Sequence, residues 1–121
     1  KINVLLQVNL SREITKSGLH DWEDILQVSE TILSGKWLKL RGLMTIPAPN
    51  IGETPTRKIY EKLRVWRDKL QQELDSAEIT ELSMGMTADF HWAIQEGATM
   101  IRVGSAIFGE RNEDMDCPTN M

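Results

Sequence analysis

Short apolar runs alternate with longer amphipathic stretches along this chain, and that alternation constrains the fold more than any other feature. Val4-Leu5-Leu6-Gln7-Val8 is too short for a helix and reads as a strand buried on both faces. A helical pattern follows, with Trp22, Ile25, Leu26, Ser29, Ile32 and Leu33 on one face and Gly35 at its end. Leu38 to Met44 reads as a second strand, closed by Pro47 and Pro49, with Ala48 to Gly52 as loop. The clearest helix comes next. Thr54 suits an N-cap, Pro55 suits the first helical position, and Ile59, Leu63, Trp66, Leu70 and Leu74 recur at helical spacing, which predicts a helix from Pro55 to Ser76. Ile79 to Met84 is a third predicted strand. Ala88 to Glu96 is a short helix, with Thr87 as its cap, Asp89 in its first turn and Gly97 past its end; Met100 to Val103 is a fourth strand. Ser105 to Phe108 adds one helical turn, and the polar residues from Glu110 onward read as a disordered tail.

Strands alternating with helices imply βαβ units and a parallel sheet. Such a pattern suits a small open sheet, or half of an eight-fold barrel, which needs about 250 residues in all. The chain has 121 residues, enough for one domain with a real core. Lys1 leads straight into an apolar run, which reads as the cut edge of something longer. Charge narrows the function classes. With 14 Lys+Arg against 18 Asp+Glu the net charge is −4, a poor field for phosphate backbones, so a dedicated nucleic-acid binder is not expected. No apolar run approaches the roughly 18 residues of a membrane span, and no signal-peptide core is present, so no membrane partner is expected. The single cysteine, Cys117, cannot form an internal disulfide, and a cytoplasmic setting is expected from it.

In parallel α/β folds ligands sit beyond the carboxyl ends of the strands. After the third strand comes Ser83-Met84-Gly85-Met86-Thr87, and within and after the fourth come Arg102, Gly104 and Ser105. Gly85 permits close backbone approach, and Thr87 at a helix start favours an anion. Gly104-Ser105 repeats that logic. Read more plainly, Ser83 and Thr87 are caps, and Gly85 and Gly104 are turn residues. Arg102, in a strongly apolar stretch, needs an anionic or hydrogen-bonding partner: either a structural ion pair or a ligand. His20 and His91 lack companions at metal-ligand spacing, and Cys117 has no positioned base. Tyr60, the single tyrosine, falls on the long helix and is read as remote from the strand ends. No Walker or dinucleotide motif is present.

Four stretches together resemble one family. They are Leu6-Gln7-Val8-Asn9 with Ser11, Glu13, Lys16 and Gly18; Gly42 to Pro47; Leu82 to Phe90 with Ala93-Ile94 and Gly97-Ala98-Thr99; and Ile101 to Gly104 with Ala106 to Gly109. In this order and spacing they are similar to the pyridoxal phosphate homeostasis proteins of the YggS/PROSC type. The resemblance implies an alanine racemase-like fold-type III (β/α)8 TIM barrel. It places residues 1–111 as the carboxyl-terminal half, strands five to eight, of a domain that binds pyridoxal 5′-phosphate (PLP), with 112–121 as tail. It implies that Ser83, Thr87, Gly104 and Ser105 hold the cofactor's phosphate, that Met84 and Gly85 belong to the same cofactor-binding site, and that Arg102 faces the pyridine nitrogen. A fixed cation there disfavours ring protonation and weakens the cofactor as an electron sink. The Schiff-base lysine of the family has no counterpart in this chain.

The function this implies is non-catalytic PLP binding in vitamin B6 homeostasis. The partners expected are PLP and either the missing amino-terminal half or a second copy. An amino-acid racemase of the same barrel type, and a cofactor-free half-barrel assembly unit, are the alternatives.

Overall fold

In the computed structural model the residues described are 1–11 and 17–104. Their order is β1 (Ile2–Gln7), α1 (Trp22–Ser34), β2 (Leu38–Met44), α2 (Glu53–Glu73), β3 (Glu81–Met86), α3 (Phe90–Gln95) and β4 (Met100–Arg102). The strands form one parallel sheet in the order β1-β2-β3-β4. Consecutive strands therefore lie side by side, each joined to the next by a helical crossover. Crossovers of one hand along an unreversed strand order put successive helices on the same face of the sheet. Among the described residues the sheet keeps two edges, β1 and β4, so the molecule shows an open α/β sheet rather than a closed barrel. Closure into a packed barrel takes about eight strands.

The core lies between that face and the helices. Leu40, Leu43, Leu82 and Met84 of the sheet meet Ile25 of α1, Tyr60, Leu63 and Leu70 of α2, and Ala93 of α3, all essentially inaccessible to solvent. Each such leucine, isoleucine or methionine side chain taken from water stabilises the fold by about 1.5–3 kcal/mol. Gly42 is required where β2 meets β3, because a Cβ there would collide with the Glu81 carbonyl.

Several boundaries, and one buried face, differ from those the sequence predicts. The long helix starts at Glu53 with Gly52 as N-cap, not Thr54. Gly52 takes a φ of 95°, turning the chain early, and the Thr56 N–H donates to its carbonyl at 3.2 Å. Pro55 is tolerated in that first turn because its missing N–H would have had no helical partner. The buried stripe of α2 is Thr56, Tyr60, Leu63 and Leu70, so Tyr60 is buried in place of the predicted Ile59. Trp66 turns to α1 and meets Trp22 edge-on at 5.6 Å, with Lys62 and Lys69 over the two rings. The third helix is only Phe90–Gln95, with Asp89 at its N-cap position, because Thr87 to Asp89 form a turn. The Ser105 to Phe108 turn and the tail lie outside the described residues.

Candidate functional site

The carboxyl ends of β2, β3 and β4 converge on Arg102. Its Nη1 donates to Ser83 Oγ at 2.6 Å and its Nη2 donates to the Thr45 carbonyl at 3.1 Å. Ser83 is 6% exposed and Thr45 is buried. Thr45 is itself pinned, its hydroxyl donating to the Val8 carbonyl at 2.7 Å and its N–H to the Ser83 carbonyl at 3.1 Å. Three strands thus hold one guanidinium. Arg102 forms no salt bridge among the described residues, so the ion-pair alternative is not what the structure shows there. Its Nε is buried and has no hydrogen-bond partner among them. A buried donor of this kind costs stability unless something accepts from it.

Arg102 opens onto a cleft of ≈ 1120 Å³. The loop Pro47 to Gly52 and the first turn of α2, at Thr56, form one wall. Met86, Thr87, Ala88, Asp89 and Trp92 form another, and Gly104 completes the rim. The two turns that the sequence singles out therefore face one cavity. Gly85 has a φ of 106°, and a Cβ there would lie 2.7 Å from the Ala93 Cβ, so only glycine fits where β3 meets α3. A Cβ on Gly104 would meet nothing within 4 Å, which leaves that backbone open to the cleft. Met84 is 0% exposed, its side chain in the core, and of the predicted site residues Ser83, Met84 and Gly85 do not line the cleft, whereas Thr87, Arg102 and Gly104 do. Ser105 lies outside the described residues, as do Glu13, Lys16 and Cys117.

The turn after β3 corrects one expectation. Thr87 lines the cleft but does not open a helix, since α3 begins at Phe90 and has only six residues. The turn is organised by Asp89, whose Oδ1 accepts from the Met86 N–H at 2.9 Å and from the Tyr60 hydroxyl at 2.7 Å. Tyr60 is thus not remote from the strand ends; its phenol reaches a residue that lines the cleft. Burial, then Asp89, push its pKa well above the ordinary tyrosine range, against a smaller opposing pull from Arg102. The stripe Thr56-Tyr60-Leu63-Leu70, at spacings of four, three and seven, was the sequence signal for this.

Among the described residues no group of three or more His, Cys, Asp or Glu is placed to hold a metal, and no helix is long and apolar enough to cross a membrane.

An unreversed parallel sheet with glycine-bearing turns and a held arginine at its carboxyl end defines the class: a parallel α/β domain with an open cleft at its strand ends. The family follows from comparison. The family model described as alanine racemase, N-terminal domain, matches residues 1–112, and the chain belongs to that family. This match overturns the assignment to the carboxyl-terminal half, strands five to eight, since the domain matched is described as the N-terminal one. The physical reason is that a βα unit carries the same local pattern wherever it stands in a sheet; alternation gives the order of units, not their ordinal position.

The chain is 43% identical over 111 residues to the pyridoxal phosphate homeostasis protein of Haemophilus influenzae, covering 92% of this chain and 46% of that protein. It is 43% identical over 109 residues to the protein of that name from Aquifex aeolicus, covering 90% and 47%. These relatives support the family resemblance read from the motifs. Among solved structures it is similar to PipY of Synechococcus elongatus without PLP, with a TM-score of 0.77, 34% identity, and coverage of 84% of this chain and 46% of that one. It is also similar to PipY with PLP bound, with a TM-score of 0.70, 30% identity and the same coverage. The chain spans about half the length of the curated relatives it matches.

Proposed function

We propose that residues 1–111 form a PLP-binding unit whose role is cofactor handling in vitamin B6 homeostasis rather than catalysis, in a cytoplasmic setting. The observation that carries this reading is the Arg102 Nε, buried and without a hydrogen-bond partner among the described residues, while its two Nη atoms are fixed by Ser83 and Thr45. A donor left over on a residue that lines the cleft suits an unprotonated ring nitrogen. Thr87 and Gly104, which line the cleft, would then hold the phosphate together with Ser105, while Ser83, Met84 and Gly85 set the shape of the turn behind them. The names of the relatives, and PLP in one PipY structure, support the choice of cofactor.

When bound, PLP supplies an aldehyde that reacts with amines and a ring that withdraws electrons. This chain's own residues do less: they bind the phosphate, orient the ring and, through Arg102, keep a proton off its nitrogen. No lysine lines the cleft among the described residues. The Tyr60 phenol is committed to Asp89, which supports a non-catalytic role over a racemase. The site is completed by residues that this chain does not contain or by a second copy.

The test is titration of the chain with PLP, followed by absorbance and competed by inorganic phosphate. Saturable binding that phosphate displaces, and that Arg102→Met weakens at least tenfold, is the expected result. No saturable binding, or equal binding by the variant, overturns the reading.

A further inference from the structure

We infer that Tyr60 and Asp89 form a latch that fixes the β3–α3 turn, making Tyr60 a positioning residue for the cleft. The inference rests on the PLP-binding reading for its consequence, but not for its geometry. One carboxylate oxygen of Asp89 receives two donors from different directions: the Tyr60 hydroxyl at 2.7 Å and the Met86 N–H at 2.9 Å. The Asp89 backbone closes the same turn, its N–H donating to the Met86 carbonyl at 3.0 Å, while its own carbonyl accepts from Trp92 and Ala93. The last residue of β3 and the first turn of α3 are thereby tied to one side chain. Tyr60 ties that side chain to α2, since its ring is fully buried in the core and cannot follow if Asp89 moves.

The electrostatic consequence is specific. Asp89 lines the cleft, a few residues from the turn proposed to hold a dianion. A carboxylate free to rotate toward that space would repel the phosphate. The phenol, kept protonated by burial, saturates the oxygen and holds the charge back against β3 and α2. Arg102, whose charge also acts on Tyr60, lines the same cleft. Among the described residues the acidic and basic groups of the cavity have different partners, Arg102 with Ser83 and Thr45, Asp89 with Tyr60 and Met86.

The experiment compares Tyr60→Phe, Asp89→Ala and Asp89→Asn with the unaltered chain, reading amide exchange at Met86 and affinity for PLP. Tyr60→Phe removes one oxygen and keeps the buried ring. Asp89→Asn keeps an oxygen that can accept both hydrogen bonds. Met86 exchange is expected to accelerate about tenfold or more in Tyr60→Phe and Asp89→Ala, with Leu43 and Leu63 amides unchanged, and to stay protected in Asp89→Asn. PLP affinity is expected to fall severalfold in Tyr60→Phe and to be retained in Asp89→Asn. Unchanged Met86 exchange in both Tyr60→Phe and Asp89→Ala overturns the latch. Faster exchange with unaltered PLP affinity overturns the positioning role. If the unaltered chain takes up no PLP, the cofactor reading and the positioning role fail together, and Met86 exchange alone still decides whether the latch exists.

Discussion

The helix-covered core and the cleft at the strand ends are stabilised by different physics, although they share β2, β3 and α2. In the core Leu43, Leu63, Leu70 and Leu82 are closed off from water, and area and packing decide their worth. At the cleft Arg102, Ser83, Thr45, Asp89 and Tyr60 are placed by individual hydrogen bonds of 2.6–3.1 Å. A core position tolerates another side chain of similar volume; a cleft position depends on one atom in one place. The difference teaches that stability and binding should separate on mutation.

The sharpest way to break this comparison is from the core side. Leu63→Ala is expected to lower unfolding free energy by about 3 kcal/mol, measured by denaturant titration, with PLP affinity of the folded fraction unchanged. Gly85→Val stands where the two regions meet. Its Cβ would crowd Ala93 and its backbone would be strained, so a loss of about 2 kcal/mol is expected in the same assay, with displacement of α3. Arg102→Met tests the cleft side. PLP affinity is expected to fall at least tenfold, about 1.4 kcal/mol, while thermal stability changes less than in Leu63→Ala. Equal losses of stability in these two variants would erase the distinction.

Alkaline pH addresses both regions through Tyr60. Its pKa in the folded protein is raised, so the stability it contributes is fully present below the ordinary tyrosine value and is lost as pH rises beyond it. Above about pH 10 the unaltered chain is expected to lose roughly 1.4 kcal/mol more per pH unit than Tyr60→Phe. With one tyrosine in the chain, tyrosinate absorbance should appear only on unfolding. The smallest effect is expected at Thr99, whose hydroxyl accepts from the Leu82 N–H at 2.8 Å at the foot of β3. Thr99→Val should cost about 1 kcal/mol in denaturant titration and leave PLP titration unmoved.

Much of the fold was legible because apolar period and punctuation are local properties. β2 falls on Leu38–Met44 as read, and α1 begins at Trp22. The start of α2 was misread because Thr54-Pro55 is a good local cap, yet Gly52 turns the chain first. The burial of Tyr60 was missed for a different reason. Ile59 and Tyr60 are neighbours, and the helix phase that buries Tyr60 with Thr56, Leu63 and Leu70 competes with the one through Ile59, while the partner of its phenol, Asp89, lies 29 residues away. Arg102 was legible as an oddity, but its partners, Ser83 and Thr45, come from other strands and have no signature in its own stretch. The ordinal place of the strands was not legible at all, since every βα unit reads alike.

Two lengths in the molecule do not match. The 21 residues of α2 span about 31 Å at a helical rise, whereas the seven of β2 reach only about 23 Å. The surplus is about a turn and a half, and at the cleft the start of α2 supplies wall, with Gly52 and Thr56 among the residues that line it. A ligand resting there would have the first turn of α2 as one flank, so shortening that turn would widen the basin without touching Arg102 or the β3–α3 turn.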